Sequence, residues 1–83
     1  MRVLYFAWLR ERIGTGSEEV TPPESVATVA DLVEWLKTRE PRYGAAFEDI
    51  SAIRVAVDQE QADFDAPVAG AREVALFPPV TGG

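Results

Sequence analysis

The segment from Thr28 to Arg39 constrains this chain more than any other, because it carries the clearest amphipathic pattern in 83 residues. Val29, Leu32, Val33 and Leu36 fall at i, i+3, i+4 and i+7, the spacing that gathers side chains into one apolar helical stripe. Thr28 with Asp31 three residues on makes a capping-box-like start. Lys37 and Arg39 place positive charge in the last turn, where the helix dipole favours it, and Pro41 ends the segment. Trp35 lies beside the stripe and reads as core or core edge. A lone stripe must be buried against something else, and the rest of the chain offers short strand-like runs.

Arg2 to Ala7 is an apolar run rich in β-branched and aromatic residues, which reads as a central strand buried on both faces. Trp8 to Ile13 carries Leu9 and Ile13 at helical spacing, a turn or two of helix stopped by Gly14-Thr15-Gly16. Ser17 to Thr21 is read as a short strand in a hairpin with the first, and Glu18-Glu19 within it as a solvated strand end. Pro22-Pro23-Glu24-Ser25 forbids regular structure, and Pro41 to Glu48 allows one further helical turn. Ala52 to Asp58 alternates, with Ile53, Val55 and Val57 on one face and Arg54, Ala56 and Asp58 on the other. Asp58 to Asp63 is polar and turn-like, and Phe64 anchors the following loop. Arg72 to Phe77 alternates again, with Val74 and Leu76 opposite Glu73, Ala75 and Phe77. No repeats, low-complexity stretches or linkers interrupt the series.

The order is β-β-α-β-(β)-β, where the bracketed strand is optional. A two-layer α+β domain satisfies it, with a mixed four- to five-stranded sheet packed on one main helix. The first and last strands can run parallel and adjacent, because the helix supplies the crossover. This is the ubiquitin-like β-grasp arrangement. One domain over residues 1–77 and an extended tail over residues 78–83 account for the whole sequence.

Composition narrows the chemistry. The chain has no cysteine and no histidine, so it lacks the commonest nucleophile, general base and metal ligands. No metal site and no bound cofactor are expected. A formal charge of −6 repels a phosphate backbone and argues against nucleic acid. The longest apolar stretch, Val3 to Leu9, is too short to span a bilayer, and nothing resembles a signal peptide. No membrane role and a cytoplasmic location are expected.

After Phe77 the sequence reads Pro78-Pro79-Val80-Thr81-Gly82-Gly83. Two prolines lock φ and favour an extended path, and two glycines add no side chains to the end. Such a tail suits a narrow channel in another protein, with an unhindered carboxylate on Gly83 available for activation. Chain ends commonly have no role, so the tail gains its weight from the β-grasp order ahead of it.

Val3-Leu-Tyr-Phe-Ala7 followed by Arg10-Glu11, then Val57-Asp58-Gln59, and Glu73-Val-Ala-Leu-Phe-Pro-Pro-Val-Thr-Gly-Gly83 resemble the small, sulfur carrier subunit family of molybdopterin synthase. The resemblance runs from end to end. It implies a non-catalytic partner subunit and no enzyme on its own. An activating enzyme of the ubiquitin E1 type would spend ATP to adenylate the Gly83 carboxylate, and a sulfur donor would convert it to a thiocarboxylate. The tail would then enter the large synthase subunit, which supplies the catalytic residues, and pass sulfur to cyclic pyranopterin monophosphate. A heterotetramer of two small and two large subunits is implied. So is a docking patch of Phe6 and Phe77 with Arg10 nearby, continued by Pro78, Pro79, Val80, Thr81 and Gly82. For Phe6, core and interface remain open from the sequence. Gln61 departs from the resemblance, which has an apolar residue within the patch there.

Three other readings compete: a carrier for thiamin synthesis or tRNA thiolation, a ubiquitin-like protein modifier joined to lysines, and an interaction domain with an inert tail. The first shares the Gly-Gly ending, and the second begins with the same adenylation. The Phe77-Pro78-Pro79-Val80-Thr81 stretch sits closer to the molybdopterin family.

Overall fold

The computed structural model describes residues 1–79. Its elements are β1 (Arg2–Tyr5), α1 (Trp8–Ile13), β2 (Ser17–Glu19), α2 (Val29–Lys37), α3 (Pro41–Ala46), a 3-10 turn (Ile50–Ala52), β3 (Arg54–Val57), β4 (Glu60–Ala62) and β5 (Glu73–Phe77). The five strands form one mixed sheet in the order β2-β1-β5-β3-β4. β1 pairs antiparallel with β2 and parallel with β5, and β3 pairs antiparallel with both β4 and β5. This is the β-grasp topology, with the long connection through α2 carrying the chain back for the parallel β1–β5 pairing.

The helix stripe does what its spacing demands. Val29, Leu32, Val33 and Leu36 are all fully buried, each contributing about 1.5–3 kcal/mol relative to exposure. The capping box forms: the Asp31 backbone N–H donates to Thr28 Oγ1 at 3.2 Å, and the Thr28 N–H donates to the Asp31 carboxylate at 3.2 Å. The stripe meets Val3 and Tyr5 of β1, Val55 of β3, and Val74 and Leu76 of β5, while Leu9, Ile13, Tyr43, Phe47 and Ile53 close the core. Trp35 and Phe64 pack at its edge. Pro41 ends the run from α2 and also opens α3 at its first turn, where its missing N–H costs nothing.

Three sequence expectations change. β1 is central but is buried on one face only: Val3 and Tyr5 point into the core, whereas Leu4 is half-buried and Phe6 is exposed. A single helical layer covers one side of the sheet and leaves the other open. The polar stretch after β3 is a hairpin. Asp58 and Gln59 take φ of 49° and 71°, the left-handed pair of a tight two-residue turn, and the optional fifth strand exists as β4. Asp58 suits this corner, since its Oδ1 also accepts the backbone N–H groups of Arg72 and Glu73 at 2.9 and 3.0 Å.

Glu18 is the third correction, because it is no solvated strand end. Its carboxylate accepts the Tyr43 hydroxyl at 2.7 Å, the Tyr5 hydroxyl at 2.8 Å and an Arg39 N–H at 3.1 Å. Arg39 also lies over the rings of Trp35 and Tyr43. Burial pushes the Glu18 carboxyl up, but the hydrogen bonds from Tyr43 and Tyr5 and the Arg39 charge outweigh it and hold it below the usual range. The Tyr5 hydroxyl is driven the other way, by burial first and then by the Glu18 carboxylate. One side chain thus ties edge strand β2 to β1, α3 and the end of α2.

Candidate functional site

The open face of the sheet carries the candidate site, and strand alternation decides what stands on it. With Val74 and Leu76 buried, Glu73, Ala75 and Phe77 face away from the core. The register then sets the neighbours. Leu4 pairs with Ala75, Ala75 with Ala56, and Ala56 with Gln61, giving one row across four strands. A second row lies toward the end where β5 finishes. There Arg54 pairs with Phe77. The Phe6 backbone N–H donates to Leu76 O at 3.2 Å, extending the parallel ladder by one step and setting Phe6 beside Phe77.

Phe6 is 48% exposed, which decides the question the sequence left open: it is a surface aromatic and not a core one. Phe77, Pro78 and Pro79 are half-buried and continue the apolar surface past the end of β5. Ile50, in the turn that precedes β3, is another large exposed apolar side chain. Contiguous apolar surface of this kind, rimmed by polar groups, marks interaction sites on small proteins.

The turn after Phe6 is strained. Ala7 has φ 53° and ψ −131°, a conformation that glycine adopts readily and other residues rarely. It turns the chain sharply, so that the Leu9 N–H reaches back to Phe6 O at 3.2 Å and α1 begins at once. Arg10, on the outer side of α1, lays its guanidinium against Gly16, where an added Cβ would approach to 3.2 Å. Gly16 thereby holds a groove in which Arg10 sits near the Phe6 end of β1. Of the sequence-expected residues, Phe6, Phe77, Pro78 and Pro79 therefore adjoin at one end of the sheet, and Arg10 lies against Gly16 beside the turn that follows Phe6. Val80, Thr81, Gly82 and Gly83 lie outside the described residues.

Sequence reasoning missed Leu4, Arg54 and Ile50. Leu4 was absorbed into a run that looked buried on both faces. Arg54 was placed on the correct face by alternation but was not connected to Phe77, since that needs the strand order. Gln61, noted as a polar departure, stands at the outer edge of the open face on β4. The apolar side chains on this surface make the arrangement suited to docking. Among the described residues no helix is long and apolar enough to cross a membrane.

The sequence model of the ThiS family matches residues 3–83. The molybdopterin synthase sulfur carrier subunit of Escherichia coli K12 is 40% identical over 83 residues, covering 100% of this chain and 99% of that protein. The protein of the same name from Haemophilus influenzae is 32% identical, again over 100% of this chain and 99% of its own length. Among solved structures, the crystal structure of Haloferax volcanii small archaeal modifier protein 1 superposes with a TM-score of 0.76 at 32% identity, covering 96% of this chain and 97% of that one.

Proposed function

The chain belongs to the ThiS family, and from that premise we propose that it is the sulfur carrier subunit of a molybdopterin synthase, acting in molybdenum cofactor biosynthesis. The observation that carries this is the end-to-end similarity to the Escherichia coli sulfur carrier subunit. The open face with Phe6 and Phe77 beside the start of the tail supports it, because a carrier needs a docking surface next to the group it delivers.

In this reading an E1-like enzyme joins the Gly83 carboxylate to the adenylyl group of ATP and releases pyrophosphate. A sulfur donor then displaces AMP and leaves a thiocarboxylate. A free carboxylate is a poor electrophile, and the adenylate supplies the leaving group it lacks. The large subunit, in a heterotetramer of two small and two large chains, receives the tail and provides the catalytic residues for transfer to cyclic pyranopterin monophosphate. Phe6, Arg10 and Phe77 dock it, with Pro78, Pro79, Val80, Thr81 and Gly82 leading into the partner. The chain binds no cofactor and works in the cytoplasm.

The test uses the absence of cysteine. Protein purified from its native host is treated with a thiol-selective alkylating agent under denaturing conditions, and the mass of the C-terminal fragment is read. Label on Gly83 reports a thiocarboxylate. No label, even after incubation with ATP, a sulfur donor and the host's activating enzyme, would sink the carrier reading. The archaeal relative's name favours a second reading, attachment of this chain to other proteins. Isopeptide-linked conjugates in native extract would support that role, which begins with the same adenylation.

A further inference from the structure

Arg54 is an unexpected residue in its position. It stands on the open face in register with Phe77, and Phe6 follows one strand further on, so aromatic, aromatic and guanidinium form one row at spacings of about 4.8 Å. The chain carries 14 acidic residues, yet among the described residues no carboxylate lies within ion-pair distance of Arg54. Arg2, Arg39 and Arg42 each have one, and of the arginines without one (Arg10, Arg12, Arg54 and Arg72) Arg54 is the one in register with Phe77. The Arg54 guanidinium makes only two long contacts, at 3.3 Å, to the backbone carbonyls of Ser51 and Ile53 on its own chain segment. Most of its five donors face outward beside an apolar surface. In a protein of net charge −6, a cation left without a carboxylate beside the half-buried Phe77, on the face that also exposes Phe6, is available to a partner.

We infer that Arg54 is a specificity-determining contact of the open face, reading a carboxylate on the synthase large subunit that lies beside the apolar surface receiving Phe6 and Phe77. A planar guanidinium suits that pairing, since its fork grips a carboxylate with two parallel hydrogen bonds. The acidic remainder of this chain disfavours an acidic partner surface elsewhere, so Arg54 fixes both the register of docking and the sign of the charge that fits. The inference rests on the sulfur carrier reading and deepens it.

The experiment measures the dissociation constant between the full chain and the large subunit by calorimetry, at low and high salt. The variants are Arg54→Gln and Arg54→Glu. Arg54→Gln is expected to weaken binding roughly tenfold and to flatten its salt dependence, and Arg54→Glu to weaken it about a hundredfold. Both variants should keep the wild-type unfolding midpoint, because the side chain is exposed and its two contacts are weak. Should Arg54→Glu disturb the fold, Arg54→Gln alone carries the comparison. Wild-type binding with both variants within about twofold overturns the role of Arg54 and leaves the carrier reading intact. A wild-type chain that does not bind the large subunit at all overturns the carrier reading itself. If Arg54→Glu slows adenylation by the activating enzyme as much as it weakens large-subunit binding, selection of the large subunit is overturned.

Discussion

Replacing Glu18 by alanine should destabilise the domain by about 3 kcal/mol, a figure built from its three partners. The Tyr5 hydroxyl belongs to a residue only 1% exposed and has Glu18 as its one partner among the described residues. Leaving such a buried hydroxyl unpaired costs about 1–3 kcal/mol. The Tyr43 hydroxyl loses its acceptor but keeps a long contact from Arg42 at 3.4 Å, so its share is smaller. Arg39 is partly exposed and stacks on two rings, so its lost ion pair adds at most about 1 kcal/mol. Relief of the carboxylate's own burial offsets part of the sum. For a domain of this length, total stability is about 4–12 kcal/mol. A loss of 3 kcal/mol would therefore lower the unfolding midpoint by roughly 12–24 °C. Thermal and urea unfolding at neutral pH measure it, and the double variant with Tyr5→Phe should recover about 1–2 kcal/mol by removing the stranded hydroxyl.

Acid titration supplies an independent check on the same residue. Its folded pKa lies below the unfolded value, against burial and because of Tyr43, Tyr5 and Arg39. The stabilisation is therefore complete above about pH 4.3, the ordinary glutamate value, and disappears as pH falls through the folded one. The stability gap between wild type and Glu18→Gln should stay level from neutral pH to about pH 5 and close below it. A Glu18→Ala variant within about 0.5 kcal/mol of wild type, or a gap that widens on acidification, would refute the clamp.

Leu36→Ala removes a fully buried stripe residue and should cost about 2–5 kcal/mol in urea unfolding, with little structural relaxation in so small a core. Ala7→Gly should raise the unfolding midpoint by a few degrees, worth about 1 kcal/mol, because glycine accepts φ 53° without a Cβ penalty; a lowered midpoint would show the turn to be unstrained. Asp58→Ala should lose about 2 kcal/mol, since it removes the acceptor for two backbone N–H groups and puts alanine at φ 49°. Asp58→Asn keeps the acceptor and should stay within about 1 kcal/mol of wild type by the same measurement.

The parts of the fold that the sequence made legible are those where burial imposes a period. Val29, Leu32, Val33 and Leu36 announce a helix, and Ile53, Val55, Val74 and Leu76 announce half-buried strands, because in each case one face meets the core and the other does not. Where the second face is apolar as well, the period vanishes. Val3-Leu-Tyr-Phe reads as a strand buried on both sides since Leu4 and Phe6 are as apolar as Val3 and Tyr5, yet Phe6 is exposed. The proposed docking surface therefore looks like core in the sequence. β4 was only an optional strand for the opposite reason: Glu60-Gln61-Ala62 lies at the sheet edge, where little burial acts on it. Glu18 carried no local signal, because its partners are 13, 21 and 25 residues away and meet it only through the fold.

Tyr5 and Phe6 show how the core and the open face are joined. As neighbours on one extended strand they point to opposite sides of the sheet. Behind the sheet, Tyr5 is gripped by Glu18; in front, Phe6 stands beside Phe77. Immediately after them the left-handed Ala7 turns the chain into α1, and buried Leu9 pins that helix to the core. Phe6 is thus held in the chain between two buried anchors, Tyr5 before it and Leu9 after it. A surface aromatic fixed in this way loses little conformational freedom when it docks, which leaves more of its burial for affinity. Loosening the Glu18 clamp should therefore weaken large-subunit binding more than the lost folded fraction alone explains. Comparing the affinity of Glu18→Gln, corrected for its unfolded population, with that of wild type separates the two effects. An affinity equal to wild type after that correction would show that the clamp serves the fold and not the face.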